Sequence, residues 1–380
     1  MSHLIESVQH CADLARALAP TVEEQRSLPG ELVDALIDSG LLRAGVPQSL
    51  GGPELPPAEV LAAAETVARG DASAGWCTAI AAATSLLSAY LPAQGAAEVF
   101  GDPRSVAAGV WAPTAKAQPV AGGVRVSGRW AFCSGVTHAD WLLAGCVLAD
   151  PDTAEDSAPV LRVVAVPTRE LKILDTWRTS GLRGTGSHDV VADDVFVPGH
   201  RTASVVDGPP ADAAALHRFP LLGFFALSVA AAALGNARGA IDDLVALASA
   251  RRPSGSNRTL AERSPTQSAV ARAEASLRAA RLLYFHSVAE AWEAARRPGT
   301  VSTELRVGLR LAAVHAATTA AEVVSAMYDL GGAAAIYEES PLQRRLRDAH
   351  TVTAHVQVNA ETFELTGRHL LGLPISTERL

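Results

Sequence analysis

Lysine is almost missing from this chain: Lys116 and Lys172 are the only two in 380 residues, so nearly every basic side chain is arginine. That excess reads as the codon bias of a GC-rich genome. No arginine-rich run with interleaved aromatics appears and the net charge is −8, which argues against nucleic acid as a partner. The four cysteines, Cys11, Cys77, Cys133 and Cys146, form no C-x-x-C pair, so the common zinc and thiol-redox spacings are absent. No secretory pattern marks "MSHLIESVQHCADLARALAP", and the expectation is a reduced, cytoplasmic setting. The most apolar stretch, "CTAIAAATSLLSAYL", reads as too short and too alanine-rich to span a bilayer, so no membrane is expected. A P-loop is lacking. The glycines of "GLRGTGSHD" have the wrong spacing for G-x-G-x-x-G and sit among strands.

What is present is a globular balance, 48% hydrophobic against 19% charged, with length enough for two or three domains. Three textures follow one another. Residues 1–100 read as helices: "LPGELVDALIDSGLL" sets Leu32, Val33, Leu36, Ile37 and Leu41 on one face, and "GGPELPP" and "RGDAS" break the helical runs. From about 105 to 200 come short Val-, Leu- and Trp-rich runs bounded by Gly, Pro and Asp. In them Val124, Val126, Trp130 and Phe132 alternate with smaller or polar residues, as strands require. From about 215 onward long helices return, and their length and small-residue faces suit a bundle.

Three motifs, in order, carry a family resemblance. "TWRTSGLRGTGSHDVVADDVFVP" (176–198) resembles the middle-domain signature of the acyl-CoA dehydrogenase superfamily. "VRVSGRWAFCSGVTHADWLLAG" (124–145) resembles its flavin-facing β-segment, and "DLGGAAAIYEESPLQRRLRDA" (329–349) its C-terminal helix-loop-helix. The resemblance spans nearly the whole chain. It implies an acyl-CoA dehydrogenase-like, mainly α fold: an N-terminal helical domain at 1–104, a central β-barrel-like domain at 105–210 and a C-terminal four-helix bundle at 211–380. It also implies a flavin ring between β-domain and bundle, and a homotetramer in which the cofactor's distal part reaches a neighbouring subunit.

Acyl-CoA dehydrogenases need a carboxylate to remove the α-proton of a thioester. Aligned on Arg347-Asp348-Ala349, that position holds Val356, beside His355; the family's second location for the base holds Phe225. Neither can take a proton. "RDAHTVTAHVQVNAETFELTGRHLLGL" instead resembles the two-component, group D flavin-dependent monooxygenases of the same superfamily. That resemblance implies reduced FAD or FMN delivered by a separate, transient flavin reductase, O2 as co-substrate, and a C4a-hydroperoxyflavin that hydroxylates a small apolar or aromatic substrate. Two alternatives stand beside it, a dehydrogenase acting on a thioester and an N-hydroxylase of an amino sugar or amine.

The resemblance assigns residues. His355 takes the place of the branch's active-site histidine, to deprotonate a phenol or to protonate and orient the peroxide. Ser134 in "FCSG" is expected near flavin N5, with Cys133 as its neighbour in an alternative register; the bland reading of Ser134 is a strand-end serine satisfied by backbone. Trp177 packs against the flavin or is interdomain core, and Arg183 and Ser187 serve cofactor or loop. Arg251, with Arg252, occupies the place of a pyrophosphate-binding arginine. Trp76, Trp141, His138, Phe224 and Phe225 are candidates for the substrate pocket or for core. His350 is read as a bystander: five residues from His355, it falls about 140° away on a helix. No metal is expected, because that spacing and the lack of a third ligand disfavour a site.

Overall fold

The computed structural model describes residues 2–149, 160–205, 208, 213–252, 255–377 and 380. The expected boundary at 210/211 and the Pro253–Ser254 step after Arg252 lie outside the described residues. Five helices come first: α1 (Ser2–Gln25), α2 (Gly30–Asp38), α3 (Pro57–Gly70), α4 (Ala72–Ser85) and α5 (Ala93–Phe100). Seven strands follow, β1 (Ala107–Val120), β2 (Gly123–Trp130), β3 (Trp141–Leu148), β4 (Val160–Pro167), β5 (Lys172–Leu174), β6 (Asp189–Pro198) and β7 (Thr202–Ala203). The chain closes with a short α6 (Ala215–Arg218), the long α7 (Leu221–Ala250), α8 (Ser264–Ala295) and α9 (Thr303–Gly331), then α10 (Pro341–Thr353) and α11 (Ala360–Leu370).

Helix α4 sits in the middle of everything. Asp71 caps it, its carboxylate accepting from the Ala74 N–H at 2.9 Å. All fourteen of its residues are buried, because it is packed against α3, α7 and β1 at once. Helix α7 is nearly as enclosed. Its alanine run lets backbones approach so closely that a Cβ on Gly235 would lie 2.1 Å from the Glu65 carbonyl oxygen of α3. Residues 72–89, 221–250 and 303–334 are long and apolar enough to cross a membrane, which corrects the reading of the first as too short. Of the most apolar 18-residue window in each, 94%, 78% and 67% respectively lies buried within the fold.

The strands form one sheet in the order β5-β6-β2-β1-β3-β4-β7, antiparallel throughout except for the parallel β1–β3 pair. The alternation of β2 holds up to its end: Val124, Val126 and Trp130 are buried, while Arg125, Ser127 and Arg129 are not. Phe132 departs from it. The strand stops at Trp130, the backbone turns to φ +64° at Phe132, and that ring is left 70% exposed. A phenylalanine held at positive φ and facing outward marks a place where the fold tolerates strain.

Candidate active site

The end of β2 delivers Ser134 into a buried chain of hydroxyls. The Trp76 indole N–H of α4 donates to Ser134 Oγ at 3.0 Å. Ser134 Oγ lies 2.8 Å from Ser187 Oγ, and Ser187 Oγ lies 2.6 Å from Thr185 Oγ1. Thr185 donates to the Leu182 carbonyl at 2.9 Å. Leu182 is the hub of the "GLRG" turn, at φ +49°. Its carbonyl also takes the Trp177 indole N–H at 2.9 Å, and its own N–H goes to Asp348 at 2.6 Å. The turn presses on α10 so tightly that a Cβ on Gly181 would sit 2.2 Å from the Arg347 carbonyl. Burial first, then the neighbouring Asp71 carboxylate, push the Asp348 acid up to about 7.

His355 stands on the other side of Trp76. Helix α10 ends at Thr353, so His355 lies in the turn before α11 and not on a continued helix; the 140° argument therefore lapses, although His350 is indeed exposed on α10. Val352 and Val358 are buried at either end of that turn and Val356 is 54% exposed, leaving His355 half-buried among rings. Its imidazole meets Trp76 edge-to-face at 5.4 Å and Phe225 at 5.7 Å, and Phe225 lies against Trp111 at 4.9 Å. The Gln357 backbone N–H donates to His355 Nδ1 at 3.2 Å, and Arg310 of α9 holds the Gln357 side chain. Burial first, then the Arg310 guanidinium, pull the imidazole down to about 4. At neutral pH the ring is uncharged, and with Nδ1 accepting, its proton belongs on Nε2. His355 therefore presents an N–H donor, which separates the two roles expected for it.

The other expected residues divide. Trp76, Ser134, Ser187, Trp177, Phe225 and His355 come together around α4 and the "GLRG" turn. His138 is adjacent, its Nε2 3.1 Å from where a Cβ on Gly135 would be, and burial lowers it to about 4. Cys133 does not join: its thiol faces the core beneath the sheet, 3.6 Å from the Trp130 carbonyl, and burial raises it to about 12. Phe224 is buried in the bundle against Phe219, because the one-residue step from Phe225 turns it about 100° around α7. Trp141 pairs into β3 with the Arg201 guanidinium 5.0 Å over its ring. Arg183 turns to Glu23 of α1, at 3.6 Å. Arg251 bonds the Gly331 carbonyl at 3.3 Å, at the far end of α7, 26 residues and hence about 39 Å from Phe225. Among the described residues no cluster of three or more His, Cys, Asp or Glu could hold a metal.

Thr185, Trp111 and Phe132 were not legible as site residues. Thr185 and Ser187 alternate in "GTGS", but nothing in that spacing shows which partner each hydroxyl meets. Phe132 faces Trp177 edge-on at 6.1 Å. Its open face and a serine oxygen two residues on suit a flat ring with a polar edge, as the isoalloxazine is. Two grooves on the sheet, the larger about 860 Å³ and lined by Arg129, Arg169 and Lys172, share no residue with this centre.

Helices enclosing a sheet, with a serine and aromatic faces where α4, the sheet and the bundle meet, fit the flavin-handling oxidoreductase class that the sequence resemblance implies. Comparison with known proteins makes the class specific. The family profiles "Acyl-CoA dehydrogenase, N-terminal domain" and "Acyl-CoA dehydrogenase, C-terminal domain" match residues 4–99 and 227–360. An indole-3-acetate monooxygenase of Pseudomonas putida is 36% identical over 94% of this chain and 90% of its own length. A FADH2-dependent resorcinol hydroxylase, oxygenase component, from a Rhizobium species is 31% identical over 97% and 94%. The crystal structure of 3-HSA hydroxylase from Rhodococcus sp. RHA1 superposes with TM-score 0.92 at 28% identity, over 100% and 99% of the two chains. The chain belongs to the acyl-CoA dehydrogenase superfamily, in its flavin-dependent monooxygenase branch.

Proposed function

We propose that this chain is the oxygenase component of a two-component system. It takes reduced flavin from a separate reductase and, with O2, hydroxylates a small aromatic substrate. The observation that carries the reading is the ring-walled niche at His355. Trp76 and Phe225 meet a neutral imidazole edge-on, Trp111 backs Phe225, and the positions where a dehydrogenase keeps its base are Phe225 itself and the exposed Val356. Apolar ring walls with one directed donor select a flat substrate and fix its orientation. The relatives named above act on an indole and a resorcinol, which supports mono- or bicyclic aromatics as the substrate class. Bound reduced flavin supplies the activation of O2. The protein's part is to hold the ring edge at Ser134, keep water out with the buried α4 face, and aim the His355 N–H.

The test supplies chemically reduced FAD or FMN, labelled O2 and a panel of phenols and indoles to the purified chain. Incorporation of one labelled oxygen atom into an aromatic product is expected. Oxygen returned only as hydrogen peroxide across the panel, or reduction of bound flavin by an acyl-CoA, would overturn the reading.

The same reading includes a homotetramer. Its support is Arg251: about 39 Å along α7 from Phe225, this residue can serve a flavin only from a neighbouring copy. Light scattering is expected to return four times the chain mass, and a monomer would remove the proposal.

A further inference from the structure

The hydroxyl chain has a direction. A carbonyl oxygen only accepts, and the Thr185 hydroxyl donates to that of Leu182 at 2.9 Å, sharing it with the Thr185 and Trp177 N–H groups. With Thr185 donating there, the contact between Thr185 and Ser187, at 2.6 Å, uses the hydrogen of Ser187. With that hydrogen spent, the 2.8 Å contact between Ser187 and Ser134 must use the hydrogen of Ser134. The Trp76 N–H fills one lone pair of Ser134 Oγ. What remains on Ser134 is one lone pair and no hydrogen. Thr185 and Ser187 are sealed from water at 1% and 2% exposure, and Ser134, at 9%, is the chain's more open end. The other end is fixed, because the Leu182 carbonyl also holds the Trp177 indole while Asp348 anchors the Leu182 N–H.

The two redox forms of a flavin differ at N5: reduced flavin carries an N–H there and oxidised flavin a lone pair. We propose that Thr185, by directing the Ser187–Ser134 chain, makes Ser134 a pure acceptor and so sets the preference of this site for reduced over oxidised flavin. The proposal rests on the reading of Ser134 as the group at the flavin edge. Thr185 acts through Ser187 and Ser134 and is a positioning residue. For a chain fed by a separate reductase, such a preference means that spent flavin is released and reduced flavin retained.

The test is binding, not turnover. Wild-type chain and the variants Thr185→Val, Thr185→Ser and Ser187→Ala are titrated anaerobically with oxidised FAD and with dithionite-reduced FAD, after circular dichroism has confirmed the fold. Valine is nearly isosteric but cannot accept the Ser187 hydrogen. Ser187 then turns that hydrogen toward Ser134, whose own hydrogen becomes free to face N5. Loss of the hydroxyl in Ser187→Ala frees the same hydrogen by another route. In both variants the ratio of the oxidised to the reduced Kd is expected to fall about tenfold, the worth of one hydrogen bond changing sign. Thr185→Ser is expected to keep the wild-type ratio. A ratio that stays within twofold of wild type in both Thr185→Val and Ser187→Ala would overturn the proposal. So would equal weakening of both flavin forms, which a merely structural role predicts, or a wild type that binds the two forms equally. A wild type that binds neither form would instead overturn the proposed function.

Discussion

Replacing His355 by alanine is expected to lower kcat for hydroxylation by about 10²–10³-fold, the usual cost of removing one directed donor from a reacting oxygen. Affinity for reduced flavin should stay within about threefold, because the residues proposed for the flavin, Ser134, Phe132 and Trp177, lie on other elements than His355. Oxygen consumption should continue and appear as hydrogen peroxide. The geometry also separates donor from base. Glutamine at 355 keeps an N–H donor and has no useful basicity, so His355→Gln should recover much of what alanine loses. No recovery would return His355 to the role of base. The pH profile gives a second reading of the same residue. An imidazole near 6.5 would impose an acid limb there, but burial and Arg310 bring this one to about 4, so the limb belonging to His355 should fall near pH 4. Protonation below that point puts a hydrogen on Nδ1, facing the Gln357 N–H, and turns the ring away. A limb at 6.5 that vanishes in His355→Gln would sink this account.

Replacing Arg345 by methionine is expected to cost about 3 kcal/mol of stability, measured by urea unfolding, with little change in any binding constant of the flavin site. Arg345 is 3% exposed and bonds the buried Asp243 carboxylate, the Asn236 side chain and the Arg69 carbonyl, so one guanidinium ties α3, α7 and α10 together. Removing it leaves a buried carboxylate short of its main partner. The figure lies at the low end for a broken buried pair because Arg16 of α1 still reaches Asp243 at 2.8 Å. A loss below 1 kcal/mol would show that Arg16 alone satisfies that charge. A loss of flavin affinity with stability intact would show that the effect of this arginine runs through the "GLRG" turn.

The empty base positions bear on the alternative of a thioester dehydrogenase. Val356 is over half exposed at its turn, and Phe225 is one wall of the ring-lined niche. Asp348 and Asp71, beside the "GLRG" turn and α4, are both 2% exposed, and each is committed to a backbone N–H, of Leu182 and of Ala74.

The helical, strand and helical textures were legible in the sequence because burial repeats locally, every two residues in β2 and every three to four in α2. The absence of a dehydrogenase base at 356 and 225 was legible too, since it needs only residue identity at an aligned position. Ser134 and His355 could be nominated from the sequence by the resemblance alone. Their working state was not legible. The hydrogen bonds that set it join residues 58 apart for Trp76 and Ser134, and 166 apart for Leu182 and Asp348. Local periodicity carries no information about such pairs. Cys133 beside Ser134 and Phe224 beside Phe225 show the same limit: one step along a strand end or a helix moves a side chain from the site into the core. Composition and pattern decided which fold forms and which chemistry is missing. Only the packing of α4 against the sheet and the "GLRG" turn decided which groups Ser134 and His355 meet, because a hydroxyl or an imidazole takes its direction from its neighbours.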